Sequence, residues 1–598
     1  MNVISASIVV MIALIIFFIL AGMWFQKMAS TSDGFLLAGR GAPFWLMGSA
    51  YLGGYVGGAS VSGYVSLGFS SGIAGMWASL FVMSGCAAFT AIFARRANYF
   101  GRKHHAVTIA DFVCARFGEK LRVPIALCAI MRPTFLTGMQ FLAIAVVAKI
   151  VFGLDLKTGV VLSAIVILLY LITAGQYSAL ITQWFQSLLQ SLGIVIFAIA
   201  AYRMYGDPSS VTHAMYELLD ASKMDFWSVN VSLFTVWLIT FGIFYLVDPW
   251  IYMWAYIGKT PRVSSNAMLA VLGGSYYNVL PFLSGMCLAL GVVMGKLAVP
   301  QGLSGDALYA WFTIEFMSPV LAVLVLVGLL MTIVSCGSSF AMNGVTIFTK
   351  DIYQGIINKN ATDKEVLFAS RVSLVLVTLI GIASALWLPI LVPLWSLAQA
   401  IGISGLLATT MCAWFWKRST TAGAYASTVC GGIAAFGWAC YAWHVTGSPG
   451  GLVTVAEIPL HAAHVGLFVS IPLMFIVSLA TAPEYDKAEV TNYSTLGREM
   501  MADTTVEDKQ TRPGFFGWLG AETGNWKLFW VVTFVVFALH YLLAFLFHIE
   551  FFGLCMVWLS FIVGVLMLAM LGFLGTRDVL GLVKATHQFG KANGKQAQ

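Results

Sequence analysis

The sequence predicts an all-α polytopic membrane protein, and three observations support this prediction. Of the 598 residues, 60% are hydrophobic and only 10% are charged, whereas a soluble chain has about 25% charged residues. The hydrophobic residues gather in runs of about 20, the length that an α-helix needs to cross a bilayer. Most Lys and Arg residues lie in every second segment between those runs. These features exclude a soluble enzyme, a nucleic-acid-binding protein and a disordered scaffold.

The apolar runs predict about fifteen transmembrane helices. The first run, 3–25, lacks a basic leader and a small-residue cleavage site, so we expect it to be retained as a span. The other candidates lie at 44–67, 72–94, 121–152, 158–175, 179–202, 231–258, 264–295, 319–348, 367–389, 391–416, 422–445, 463–482, 528–548 and 552–575.

The distribution of basic residues predicts an external N-terminus and a cytoplasmic C-terminus. With that orientation, Arg132 lies within a span and 26 of the 32 Lys and Arg residues face the cytoplasm. This asymmetry is the one that the positive-inside rule requires. Only five face outward, namely Lys149, Lys157, Arg203, Lys223 and Lys296.

The order of spans and loops predicts seven segments. We expect an extra helix and loop (1–42), a first five-helix repeat (43–202), an external loop (203–230), a second five-helix repeat (231–416), two additional helices (417–482), a cytoplasmic linker (483–526), and two C-terminal helices with a short tail (527–598).

The sequence contains no GxxxxGK[ST] phosphate loop, and this absence argues against transport driven by ATP.

Two spans carry residues that favour an interrupted helix. The second span has two Gly-Gly pairs, at 53–54 and 57–58, which lower the cost of leaving helical geometry. Close helix packing through small residues is the alternative explanation of these pairs. The seventh span places Asp248 next to Pro249, and Pro removes a backbone hydrogen bond. Because the two spans start five helices apart, they indicate an inverted repeat with a binding site at the interruptions.

Arg132 lies about 16 Å into the fourth span, near the bilayer midplane. A charged side chain at this depth needs a partner or a function. One interpretation is a buried ion pair with Asp248. The other is that the planar guanidinium binds a carboxylate or sulfonate of a solute. The sequence leaves both open.

In four segments the chain resembles the sodium/solute symporters, whose core is the five-plus-five inverted repeat of the leucine-transporter fold. Each motif is weak alone, but their order is fairly specific, and they extend over the predicted core of ten helices. The matching segments are 34–41 with Pro43 and Trp45, 108–112 with 116–118, 174–186, and 335–353.

The resemblance implies a sodium site between the interrupted second span and the ninth span. Hard cations prefer oxygen ligands. The chain departs from the family pattern at Cys336, where a second hydroxyl is usual, at Gln183, where Asp is usual, and at Trp254, where Arg is usual. By motif position the site comprises the carbonyl groups of Gly53, Val56 and Thr332, the hydroxyl of Ser335, and the thiol of Cys336.

The sequence therefore predicts a secondary active transporter, not an enzyme, in the plasma membrane, which in a bacterium is the inner membrane. We expect it to import a small organic anion with sodium and to need no cofactor and no nucleic acid. Proton coupling and a solute sensor that acts through a partner protein are the alternatives; a channel is disfavoured because no filter motif is evident. The expected solute site comprises Arg132 and Asp248, with Tyr55, Ser60, Trp250 and Gln399 added by analogy of position.

Overall fold

A computed structural model describes residues 31–503 and 526–581, together with positions 10, 13, 16, 17, 20 and 584. Helices dominate this part of the chain, as the apolar runs predict. The described strands are one short antiparallel hairpin, β1 (Val453–Val455) and β2 (Ile458–Leu460). Most of the predicted span 3–25 and of the linker 483–526 beyond residue 503 lies outside the described residues.

Between residues 31 and 224 the described chain contains ten α-helices, which are joined in places by short 3₁₀ or π turns. They are α1 (Ser32–Leu37), α2 (Phe44–Tyr55), α3 (Tyr64–Ser71), α4 (Met76–Ile92), α5 (Ala94–Lys103), α6 (Ile109–Phe117), α7 (Arg122–Phe152), α8 (Leu156–Arg203), α9 (Pro208–Leu218) and α10 (Ala221–Met224).

The second part repeats the alternation of long apolar helices and short connecting helices. Its helices are α11 (Val231–Trp237), α12 (Pro249–Ile257), α13 (Pro261–Gly274), α14 (Leu280–Val293), α15 (Leu308–Phe316), α16 (Pro319–Ile347), α17 (Asp363–Trp387), α18 (Leu391–Phe415), α19 (Thr421–Thr446), α20 (Ala462–Ala480), α21 (Tyr493–Ala502), α22 (Trp526–Phe545) and α23 (Glu550–Met570).

Ten helices of the described chain are long and apolar enough to cross a membrane. Helices also occupy every predicted span from 44–67 onward. Several of these helices are short or bent, and α19 is too weakly apolar to be counted among the ten. The count of about fifteen spans, the external N-terminus and the seven-segment division therefore stay predictions.

Both predicted interruptions are present. Helix α2 ends at Tyr55, Val56 is extended with φ −94° and ψ 111°, and the helix resumes through a π-helical turn at Ala59–Gly63. In the seventh span, a 3₁₀ turn at Ile243–Leu246 precedes Asp248, the residue that caps the start of α12. Non-helical backbone is stable at membrane depth when it lies inside the protein, and Val56 and Gly57 at the first interruption and Val247 and Asp248 at the second are buried.

The predicted spans 158–175 and 179–202 both lie within Leu156–Arg203, labelled α8, which Gly175 divides into two helical segments. There φ is 59° and ψ is −179°, a conformation that residues with a side chain rarely adopt. Glycine at this position lets the chain change direction without a separate loop.

Glycines allow α7 and α17 to approach closely. A Cβ atom at Gly381 would lie 2.9 Å from Cε2 of Phe141 and 3.1 Å from the backbone nitrogen of Gly138. A side chain at either glycine would push the helices apart. Small residues are the usual means by which membrane helices make van der Waals contact.

We expect Gly381→Val to lower the thermal denaturation temperature of the purified protein, since overpacking costs about 1–3 kcal/mol. Gly437→Val is the matched control, because nothing lies within 4 Å of a Cβ at that glycine, which is also in a helix. Equal denaturation temperatures for the two variants would contradict the close α7–α17 contact.

Candidate functional site

The two interrupted helices border one small central cavity. Backbone groups freed by an interruption can face ligands only where they line such a cavity. Four predicted solute residues are on its wall, together with one predicted sodium residue. The lining residues are Gly54, Tyr55, Gly57, Ser60, Arg132, Leu136, Met139, Tyr245, Trp250, Cys336, Phe340 and Trp395.

Arg132 on α7 and Asp248 at the start of α12 form a buried ion pair. Nη2 of Arg132 lies 3.1 Å from Oδ2 of Asp248, and the two side chains are 1% and 0% exposed. The Tyr245 hydroxyl lies 3.5 Å from the same nitrogen. The pair joins the fourth span to the interruption of the seventh and brings opposite charges together in the membrane interior.

Asp248 also caps α12. Its Oδ1 atom accepts a hydrogen bond of 3.0 Å from the backbone N–H of Trp250. Pro249 occupies the first helical position, where its missing N–H costs nothing. The Asp-Pro pair thus starts a helix as well as interrupting the span, and one carboxylate serves both the cap and Arg132.

Part of the Arg132 guanidinium has no protein partner. Its Nε and Nη1 atoms are fully buried without a hydrogen bond in the described chain. Aromatic rings surround its Cζ atom, with the Phe340 centroid at 4.7 Å and the Trp250 centroid at 5.5 Å. Cation–π contact stabilises the charge but does not satisfy the N–H groups. Arg132 thus lines the cavity with part of its hydrogen-bonding capacity unused.

Of the residues implied as sodium ligands, three come together around the Ser335 hydroxyl. The Ser335 Oγ atom lies 2.7 Å from the Gly53 carbonyl oxygen and 3.2 Å from that of Thr332. Ser335 and Thr332 are fully buried. Gly53 is also buried, near the end of α2. This set of oxygens suits a hard monovalent cation.

The other two predicted ligands differ in position. Val56 is the first residue beyond α2, and its role stays a prediction. The Cys336 thiol donates to the Gly54 carbonyl at 3.3 Å and lines the cavity. Cys336 therefore lies between the cluster around Ser335 and the cavity.

Several residues of the site were not predicted as site residues. Gln140 is two helical turns after Arg132, and its Oε1 atom accepts from the Gly58 N–H at 3.0 Å. A second polar residue two turns after Arg132 on an apolar helix could have indicated from the sequence that Gln140 belongs to the site. Gln183, noted only as a departure from the family, donates to the Ser335 carbonyl at 3.3 Å. Tyr245, Phe340 and Trp395 carried no signal, because aromatic residues are common throughout the chain.

Gln399 does not belong to the cavity wall. It is fully buried, and neither amide atom has a hydrogen-bond partner in the described residues. Trp395, one turn earlier on α18, lines the cavity instead. The predicted role of Gln399 in solute binding has no support from this geometry.

The chain is similar to known transporters. The osmoregulated proline transporter OpuE of Bacillus subtilis is 24% identical over 460 residues, which cover 72% of this chain and 89% of the relative. A sodium/glucose cotransporter of Vibrio parahaemolyticus is 24% identical over 450 residues, with coverages of 68% and 80%.

The fold is also similar to that of a solved structure, the substrate-bound outward-open state of a Na⁺-coupled sialic acid symporter. The TM-score is 0.66 at 16% sequence identity, and the match covers 81% of this chain and 98% of that one. The model of the sodium:solute symporter family matches residues 35–431, well over half of the sequence. The chain is therefore an integral, multi-pass membrane protein that belongs to the sodium:solute symporter family.

Proposed function

We propose that the protein imports a small organic carboxylate together with sodium, by alternating access to the central cavity. The observation that carries the choice of solute is that the buried Arg132 lines the cavity and that its Nε and Nη1 atoms have no hydrogen-bond partner among the described residues. Its guanidinium suits the geometry of a carboxylate better than an ammonium group does.

Charge balance supports coupling to a cation. Arg132 and Asp248 neutralise each other, so a bound carboxylate adds one uncompensated negative charge to a site of low dielectric constant. A sodium ion at the Ser335 cluster would offset that charge, because Cys336, the next residue, already lines the cavity. Solute and ion would then bind more tightly together than either binds alone.

The charge balance calls for a cation, and membership of the sodium:solute symporter family favours sodium over protons as the coupling ion. Uptake into proteoliposomes distinguishes the alternatives, since a proton-coupled carrier would ignore sodium and stop when the proton gradient is abolished. A sensor would bind solute without moving it across the membrane.

The anion proposal predicts that Arg132→Lys weakens solute binding about 10- to 100-fold, because charge-assisted hydrogen bonds are worth about 1.5–3 kcal/mol. Candidate carboxylates are first ranked by the thermal shift of the purified wild-type protein, and affinity is then measured with the best of them. Arg116→Lys is the matched control. Arg116 is also fully buried, but it donates to the backbone carbonyls of Lys417 and Ser419, away from the cavity. Normal affinity in Arg132→Lys would refute the proposal.

Asp248→Asn should make stability depend on the solute. Asparagine keeps the helix cap but leaves Arg132 without its counter-charge, a loss that costs about 3–5 kcal/mol when the partner is buried. A carboxylate solute supplies the missing charge, so it should bind the variant more tightly and, at the same solute concentration, raise the denaturation temperature of the variant more than that of the wild type. An equal or smaller shift in the variant would place the solute away from Arg132.

Ser335→Ala should raise the sodium concentration that gives half-maximal uptake by about tenfold, since the hydroxyl is lost as an oxygen ligand. Cys336→Ser should lower it by supplying a harder ligand. Ser560→Ala is a control, because that buried hydroxyl bonds to the Met556 carbonyl on α23. Unchanged sodium dependence in Ser335→Ala would exclude the site.

A further inference from the structure

The start of α2 is capped by a residue from the far end of the chain. Pro43, which precedes the helix, provides no side-chain hydrogen bond to its first turn. The backbone N–H of Trp45 instead donates to Oδ2 of Asp578 at 2.9 Å, from a residue 533 positions later. An aspartate at this place satisfies one of the free N–H groups and complements the helix dipole.

Asp578 is held in place for this contact. Its other oxygen, Oδ1, accepts from Nε and Nη2 of Arg577 at 3.0 and 2.8 Å, and the side chain is only 7% exposed. Both carboxylate oxygens therefore have defined partners, and the carboxylate is fixed beside α2.

A second contact ties the same segment to α8. The Trp184 indole Nε1 donates to the Leu571 carbonyl at 3.0 Å. Gly575 lies directly against that indole ring and leaves no room for a side chain. The segment 571–578, here called the C-terminal latch, thus joins the start of α2 to the helix that contains Gln183 of the candidate site.

The opposite end of α2 carries the functional groups. Gly53 belongs to the Ser335 cluster, while Gly54 and Tyr55 line the cavity. From Trp45 to Gly54 the distance along the helix axis is about 14 Å. Any tilt of α2 that opens the cavity toward its Trp45 end has to move the N–H group away from Asp578.

We propose that Asp578 is a positioning residue that holds α2 against the core and so closes the cavity on the side predicted to be cytoplasmic. The latch lies beyond the residues that match the family model, which end at 431. The inference rests on the proposed function only in that α2 borders the transport cavity. It does not depend on the identity of the solute or of the ion, and its test requires neither to be known.

The first measurement is hydrogen–deuterium exchange of the full-length protein, followed on peptides that cover residues 44–50. Asp578→Ala should increase exchange there about fivefold, the change in an equilibrium constant that corresponds to loss of a typical helix cap. Asp578→Asn should restore most of the protection, because asparagine is also a good cap. Glu499→Gln is the matched control, since it removes an ion pair with Lys103 that does not contact α2.

The second measurement is the rate at which N-ethylmaleimide labels Cys336, the cysteine of the cavity wall, read from its peptide by mass spectrometry in inside-out vesicles. Asp578→Ala and Gly575→Leu should each speed labelling about fivefold relative to Glu499→Gln. Faster exchange at 44–50 with unchanged labelling would overturn the latch and leave a cap that serves stability alone. Unchanged exchange and labelling, or faster labelling only in right-side-out vesicles, would also overturn it. Loss of carboxylate binding in Arg132→Lys bears on the solute and leaves this inference untouched.

Discussion

The buried pair of Arg132 and Asp248 is the interaction on which the rest of the site depends. An arginine at membrane depth is costly unless a counter-charge accompanies it, and the 3.1 Å contact supplies one. The same carboxylate starts α12, so the pair sets the position of the second interruption relative to α7. Removing either member would leave a buried charge, which is why these residues act as one unit.

The cavity lies where the second and seventh spans are interrupted, because residues from both interruptions line it. Helix α2 ends at Tyr55 and α12 begins at Pro249, so free backbone groups and aromatic rings face the same space. Gln140 compensates for part of the interruption by accepting from the Gly58 N–H. The polar groups near the cavity thus serve two purposes, because some satisfy the irregular backbone and others remain available to a ligand.

Much of the architecture follows from local properties of the sequence. Apolar runs of about 20 residues dictate helices in a bilayer whatever their neighbours, since backbone groups have no other partners there. Gly53–Gly54 and Asp248–Pro249 likewise act through the backbone of their own segment, so the two interruptions were predictable. The family motifs indicated that Ser335 and Gly53 belong to one site, although they are 282 residues apart.

The sequence by itself determined the class of protein, the helices, the interruptions and the candidate charges. Whether Arg132 faces Asp248 or a solute was undecided, because helical spacing says nothing about the distance between two spans. The tertiary structure brought the pair together and left Nε and Nη1 without a partner among the described residues, so the ion pair is present while the role of Arg132 in solute binding stays a prediction. It also excluded Gln399 from the cavity wall and brought Asp578 to Trp45. Such contacts depend on how distant helices pack, which is a property of the whole chain rather than of any segment.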